Sequence, residues 1–188
     1  MFLRAVACLA VFAYGSQGRG ADVPKEDRAW KRYANKEWGY CISYPRRWHR
    51  GQAFDGAGLY AAVNRKNSSL PIGALDVAAF ADGPAVTRVG FHSDVEAHLE
   101  GLRRFAHAQD TEILEQRAFP LSGTDGLFVK ARYFDPVERS EWIEELVFAR
   151  HNGVLYRLEL QTQEQYLSRF EAVFARFAQS LALECRGR

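Results

Sequence analysis

Three histidines, His92, His98 and His107, fall close together and raise the question of metal binding. Their spacing argues against it. At ~100° per residue, His98 and His107 take opposite faces of a helix, and His92 precedes that helix's first turn. Asp94 and His98 stand at i and i+4, the spacing of a surface helix pair. His49 and His151 occupy loop contexts without a second ligand nearby in sequence. Nucleophilic catalysis needs a serine or cysteine held next to a base. Ser122-Gly123-Thr124-Asp125-Gly126 has the glycines but lacks the strand-serine-helix order of a nucleophile elbow, so it reads as a hairpin loop. Cys41, beside Ile42 in a strand, reads as a core thiol. Glu144 and Glu145 are adjacent in a strand, point to opposite faces and cannot flank one bond. There is neither a phosphate loop nor a dinucleotide fingerprint. The expectation is a non-enzyme with no catalytic residue, no metal and no cofactor.

The elements that carry these residues are legible from patterning. Residues 142–149 and 154–161 are rich in β-branched, aromatic and leucine residues, and Asn152-Gly153 between them is the pair that type I′ turns require. That hairpin pairs Ala149 with Tyr156, Val147 with Leu158 and Ile143 with Thr162, making one face almost wholly apolar. A helix over 162–181 covers it, with Thr162 and Gln165 as a capping box and Tyr166, Leu167, Phe170, Val173, Phe174, Phe177 and Leu181 along one stripe. Ser93 and Glu96 form a second capping box ahead of a shorter helix, 93–108, with Val95, Leu99, Leu102 and Phe105 on its apolar side. Strands are expected at 33–35, 38–44, 59–63, 73–81, 112–119, 126–134 and 141–149. Turns are read at residues 35–37, 64–71, 82–84, 122–125 and 135–136. The strands at 112–119, 126–134 and 141–149 form an antiparallel meander with that at 154–161, and the alternating strand-helix rhythm of a parallel sheet is missing. The class is α+β, a central mostly antiparallel sheet flanked by helices.

Residues 1–20 carry Arg4 ahead of an apolar run at 5–14 and then small residues, the plan of a secretory signal peptide cleaved after Gly15 or Gly20. The run is about half of the ~20 residues that span a bilayer, so no stable membrane span is expected. Residues 21–29 read as a flexible leader and 30–188 as one domain. Export would remove Arg4 and Arg19, so the 25 basic residues fall to 23 and equal the 23 acidic ones. A neutral domain lacks the basic footprint of nucleic-acid binding. It would retain two cysteines, Cys41 and Cys185, in an oxidising compartment, where a disulfide and two separate thiols are both open.

The Ser43-Tyr44-Pro45 strand end with Trp48 three residues on, and Gly153-Val154-Leu155-Tyr156 leading into a phenylalanine-rich helix that ends Gln179-Ser180-Leu181, resemble the PsbP-like family. The resemblance runs from about residue 33 onward. It implies an α/β/α sandwich with a central antiparallel sheet, found in the extrinsic subunit of the photosynthetic water-splitting complex, a nuclear-import regulator and many bacterial envelope proteins. Those relatives bind other proteins and are not enzymes, and the photosynthetic role does not transfer with the fold. The expectation is thus an exported, periplasmic or secreted, non-enzymatic accessory protein that recognises an envelope protein. The alternative is a carrier of a small apolar ligand or lipid in a phenylalanine-lined gap, and a hydrolase is third. The second face of the hairpin, with Trp142, Glu144, Leu146 and Phe148 beside Arg157 and Glu159, is mixed. Trp142, Phe148 and Arg157 are the expected partner-binding anchors if accessible. If the 93–108 helix buries them, the segment 46–58 is the better place to look.

Overall fold

The computed structural model describes residues 28–52, 58–66, 71–81 and 90–185. The expected signal peptide, nearly all of the leader and the turn at 82–84 lie outside them. Strands β1 (Trp30–Asn35) and β2 (Tyr40–Pro45) form an antiparallel hairpin, followed by β3 (His49–Gln52), β4 (Leu59–Asn64) and β5 (Pro71–Ala81). Helix α1 (His92–Phe105) leads into β6 (Gln109–Ala118), β7 (Gly126–Asp135), β8 (Ser140–His151) and β9 (Val154–Gln163). A 3-10 turn (Glu164–Tyr166) opens α2 (Leu167–Gln179), and β10 (Ala182–Leu183) follows.

Seven strands make one antiparallel sheet in the order β3-β4-β5-β9-β8-β7-β6, and β1-β2-β10 make a second, smaller one. Asn152 and Gly153 both have positive φ, 48° and 73°, as a type I′ turn demands. The turn sets the register: Ala149 faces Tyr156, Val147 faces Leu158 and Ile143 faces Thr162, as the patterning predicts. That alternation sends Val147, Tyr156, Leu158 and Leu160 to one side, where Phe170, Phe174 and Phe177 of α2 close over them. The phenylalanines fill this core rather than lining a gap. On the opposite side Val129, Ala131, Leu146 and Phe148 meet Val95, Leu99 and Leu102 of α1. The sheet is thus sandwiched between one helix and the other.

Neither predicted capping box forms. Thr162 stays in β9, buried, and donates its hydroxyl to the Ile72 carbonyl at 2.6 Å. At α1 the N-cap residue is Phe91, which makes no side-chain cap bond. The start of α1 is held from the sheet instead: Arg150 donates to the Gly90 carbonyl at 2.8 Å and pairs with Asp94 at 2.5 Å. Strands β3 and β10 were not foreseen, because His49-Arg50-Gly51-Gln52 carries no apolar alternation and β10 has only two residues. The outer strand β6 is exposed along nearly its whole length, and its pairing with β7 is twice irregular. Such breaks discourage edge-to-edge pairing with another chain.

Candidate functional site

The anchors expected on the second hairpin face do not form a surface. Trp142 and Phe148 are 5% and 2% exposed and belong to the core beneath α1. The cause is the apolar stripe of α1, which seals the β7–β8 half of this face because both have hydrophobic area to hide. Trp142 and Phe148 are therefore packing residues, a correction to the sequence reading. Arg157, one strand further along on β9, stays partly exposed.

Beside α1 this leaves a groove of about 560 Å³. Its floor carries Asp76 from β5, Glu144 from β8, and Arg157, Glu159 and Gln161 from β9. Its wall is the Ala97, His98, Gly101, Leu102 and Phe105 side of α1, with Tyr60 of β4 opposite. The wholly buried Glu144 carboxylate meets His98 Nε2 at 2.7 Å. Gln161 donates to the other Glu144 oxygen at 3.2 Å and to the Tyr133 hydroxyl at 2.8 Å. Arg157 reaches Glu159 at 3.5 Å and lies over the Phe80 ring. Burial works against a charged His98, but the hydrogen bond and charge of Glu144 outweigh it, and the imidazole pKa is raised. Burial, then the charges of Asp76 and Glu159, hold the Tyr60 hydroxyl above its usual value.

His98 is therefore not the surface partner of Asp94 that helical spacing suggested. Asp94 turns to Arg150 and His98 reaches inward to Glu144, a residue 46 positions away that no local pattern connects to it. Glu144 and Glu145 do point to opposite faces, with Glu145 bonded to Lys130 at 2.8 Å on the α2 side. His98, Glu144 and Glu159 bring one ligand-type atom each within 4.8 Å of one another. Only the β8–β9 register and the docking of α1 create that grouping.

A second concavity, also about 560 Å³, lies on the α2 side of the molecule and is lined by Arg28, Ala29, Trp30, Pro45, Arg46, Arg47, Trp48 and Val173. Its construction is local. Pro45 closes β2, the Trp48 amide donates to the Pro45 carbonyl at 3.1 Å, and the Arg46 amide donates to the Ala29 carbonyl at 2.8 Å. This tight turn leaves Arg46 and Arg47 exposed while Trp48 folds back edge-on to Phe170 at 5.6 Å. Arg176 of α2 stacks over Trp30 at 4.4 Å. The described lining contains no carboxylate, and Arg28, Arg46 and Arg47 make no ion pair with any described residue. Of its lining only Arg46, Arg47 and Trp48 belong to the alternative segment 46–58, of which residues 53–57 lie outside the described part.

Cys41 and Cys185 form a disulfide, with Cα atoms 5.5 Å apart. The bond sits where β10 pairs with β2, Ala182 facing Cys41, and Arg32 Nη2 lies 3.0 Å from the Cys185 sulfur. Among the described residues no helix is long and apolar enough to cross a membrane.

Neither a protein-family model nor a curated protein sequence matches the chain. Solved structures do. Cyanobacterial PsbP (CyanoP) from Synechocystis sp. PCC 6803 matches with TM-score 0.60 at 16% identity, over 88% of this chain and 98% of that one. A Pseudomonas aeruginosa protein of unknown function matches with TM-score 0.51 at 14% identity, over 85% and 99%. LpqN of Mycobacterium tuberculosis, described as involved in cell envelope biogenesis, matches with TM-score 0.51 at 9% identity, over 82% and 90%. The chain has the PsbP-like fold.

Proposed function

We propose that this chain is an exported, non-enzymatic accessory protein of the cell envelope that recognises an acidic surface on a partner protein through the cleft of Arg28, Arg46, Arg47, Trp30 and Trp48. One observation carries the reading: three arginines without a carboxylate partner among the described residues surround two half-buried tryptophans in one concavity. Tryptophan and arginine are the residue types in which binding energy concentrates, and the guanidinium fork matches a carboxylate in two parallel hydrogen bonds. An exported location is supported by the signal-peptide pattern of residues 1–20 and by the fold shared with an envelope-biogenesis protein.

The test is native mass spectrometry of the protein purified from its own envelope, as wild type and as the Arg46→Glu/Arg47→Glu variant. A co-purified protein that is lost from the variant at unchanged melting temperature supports the reading. Equal retention by both would overturn it. A second reading, a carrier of a small molecule, is favoured by the groove beside α1, where the 77% exposed Phe105 offers apolar surface next to a polar floor.

A further inference from the structure

Positive charge gathers along one strand. Residues 28–50 hold seven of the chain's 25 arginines and lysines and one of its 23 acids, Glu37. Arg28, Lys31, Arg32 and Lys36 run along β1 and its flanks, Arg46 and Arg47 follow Pro45, the residue opposite Trp30, and Arg50 of β3 lies over the Tyr33 ring at 4.8 Å. Arg32 donates to the Cys185 sulfur at 3.0 Å. None of the seven forms an ion pair with a described residue. The near-neutral balance of the whole chain thus conceals a basic end.

That strand is also the outer one of its sheet, whose order is β1-β2-β10. Opposite residues of an antiparallel pair alternate between those that exchange backbone hydrogen bonds and those that turn these groups outward. The Arg46 amide donates to the Ala29 carbonyl at 2.8 Å, and this sets the phase. Lys31, Tyr33 and Asn35 bond to β2, while Trp30, Arg32 and Ala34 turn N–H and C=O away from it. Two residues of β2 agree. Pro45, opposite Trp30, has no N–H to give, and the Ser43 amide, opposite Arg32, donates away from β1 to the Ser180 hydroxyl at 2.8 Å. Among the described residues nothing pairs with the outward groups of Trp30, Arg32 and Ala34. The β1–β2 register is unbroken, and Lys31, Arg32 and Ala34 are exposed. The ladder of the other long edge strand, β6, is twice irregular.

We propose that β1 receives, as an added strand, an extended acidic segment of the partner protein; this rests on the acidic-partner reading above and gives that partner its form. The outward N–H and C=O groups supply affinity for a backbone, and the charges choose which one. A second copy of the same edge would set Lys31 and Arg32 against like charges, which opposes pairing. Successive residues of a strand point to opposite faces, so Lys31 and Arg32 flank both sides of the added strand, and carboxylates on either side of it meet a cation. The continuation of the segment reaches the arginine–tryptophan cleft, which opens at Trp30.

The probe is the peptide acetyl-Thr-Glu-Glu-Val-Thr-Glu-Glu-Thr-amide, followed at low salt by calorimetry and by amide exchange. Saturable one-site binding is expected, with exchange of the Trp30, Arg32 and Ala34 amides slowed at least about tenfold and that of Lys31, Tyr33 and Asn35 little changed. The same peptide with its amides N-methylated keeps its charge but has no N–H to pair, and lysine in place of glutamate reverses the charge. Both should bind at least about tenfold more weakly. Ala34→Pro removes one outward N–H while leaving the β1–β2 ladder and every charge in place, and it should weaken the peptide about tenfold. Equal binding by the N-methylated peptide, protection confined to residues outside β1, or adsorption to phosphatidylglycerol vesicles without any response to the peptide would each overturn the proposal. Capture of the envelope partner separates the two sites. If Arg46→Glu/Arg47→Glu loses that partner and Ala34→Pro keeps it, the cleft stands and the added strand falls. If Ala34→Pro loses both peptide and partner while Arg46→Glu/Arg47→Glu keeps the partner, the edge stands and the cleft falls.

Discussion

His98 on α1 and Glu144 on β8 meet at 2.7 Å, and Glu144 has no exposed surface. The pair is a second polar rivet between the helix and the sheet besides Arg150–Asp94, set beside the apolar contacts of Leu99 and Leu102.

Its pH dependence has a defined sign. Burial lowers the His98 pKa, Glu144 more than restores it, and the folded value ends above the ordinary 6.5. The stabilisation is therefore complete below the unfolded pKa and is lost as pH rises through the raised folded value. Urea midpoints measured from about pH 6 to about pH 9 should fall for the wild type across that window. For Glu144→Gln the curve should be flatter over the same range, and equal slopes would remove the pair from the account.

Trp142→Ala should behave as a core deletion. Its ring packs under α1 with 5% exposure, so the expected loss is about 3–5 kcal/mol in chemical denaturation. A loss below ~1 kcal/mol would mean that the indole lies at a surface after all.

Two glycines predict opposite outcomes for one substitution. A Cβ on Gly73 would lie 2.8 Å from the Phe170 ring, so Gly73→Ala should cost about 1–3 kcal/mol through overpacking. Gly101→Ala meets open space inside a helix and should raise stability by about 0.5–1 kcal/mol. Thermal denaturation of the two variants side by side reads the contrast.

The Cys41–Cys185 bond joins residues 144 positions apart. In the chain-entropy model, closing such a loop stabilises by up to ~4–5 kcal/mol. The Cys41→Ala/Cys185→Ala variant should lose a measurable part of this, and free-thiol labelling at Cys41 and Cys185 of the wild type under non-reducing denaturation, read by peptide mapping, should be negative. Labelling of both cysteines would exclude the bridge.

Much of this fold could be read from local pattern. The Asn152-Gly153 turn fixes the hairpin register, and the phenylalanine spacing of α2 names the face it buries, because both signals lie within a few residues of what they determine. The capping boxes misled because Ser, Thr and Glu pairs satisfy the motif in sequence whether or not the chain is free to bend there. The long β9 holds Thr162 extended and offers it Ile72 instead. The groove was illegible for a different reason: His98, Glu144 and Asp76 come from three elements distant in sequence, and only the finished sheet makes them neighbours. The anchors at Trp142 and Phe148 failed because residue type alone does not reveal how far α1 extends across the sheet. In the cleft, Pro45 and Trp48 were visible as a strand stop and an aromatic marker, but Trp30 and Arg28 join them only through the β1–β2 pairing and the Arg46–Ala29 bond.

The strand order carries a kinetic consequence. On either side of the β5–β9 ladder, each strand pairs with its neighbour in sequence, giving one ribbon of β3-β4-β5 and another of β6-β7-β8-β9. Ribbons of this kind close short loops and form early, while the ladder between them joins Gly73 to Thr162 and Ala81 to Val154 across the whole α1 and β6–β8 region. The zipping of that ladder should therefore be the slow, late event of folding. Amide exchange along β5 and β9 should accordingly be among the slowest in the sheet, since opening their ladder separates the two ribbons.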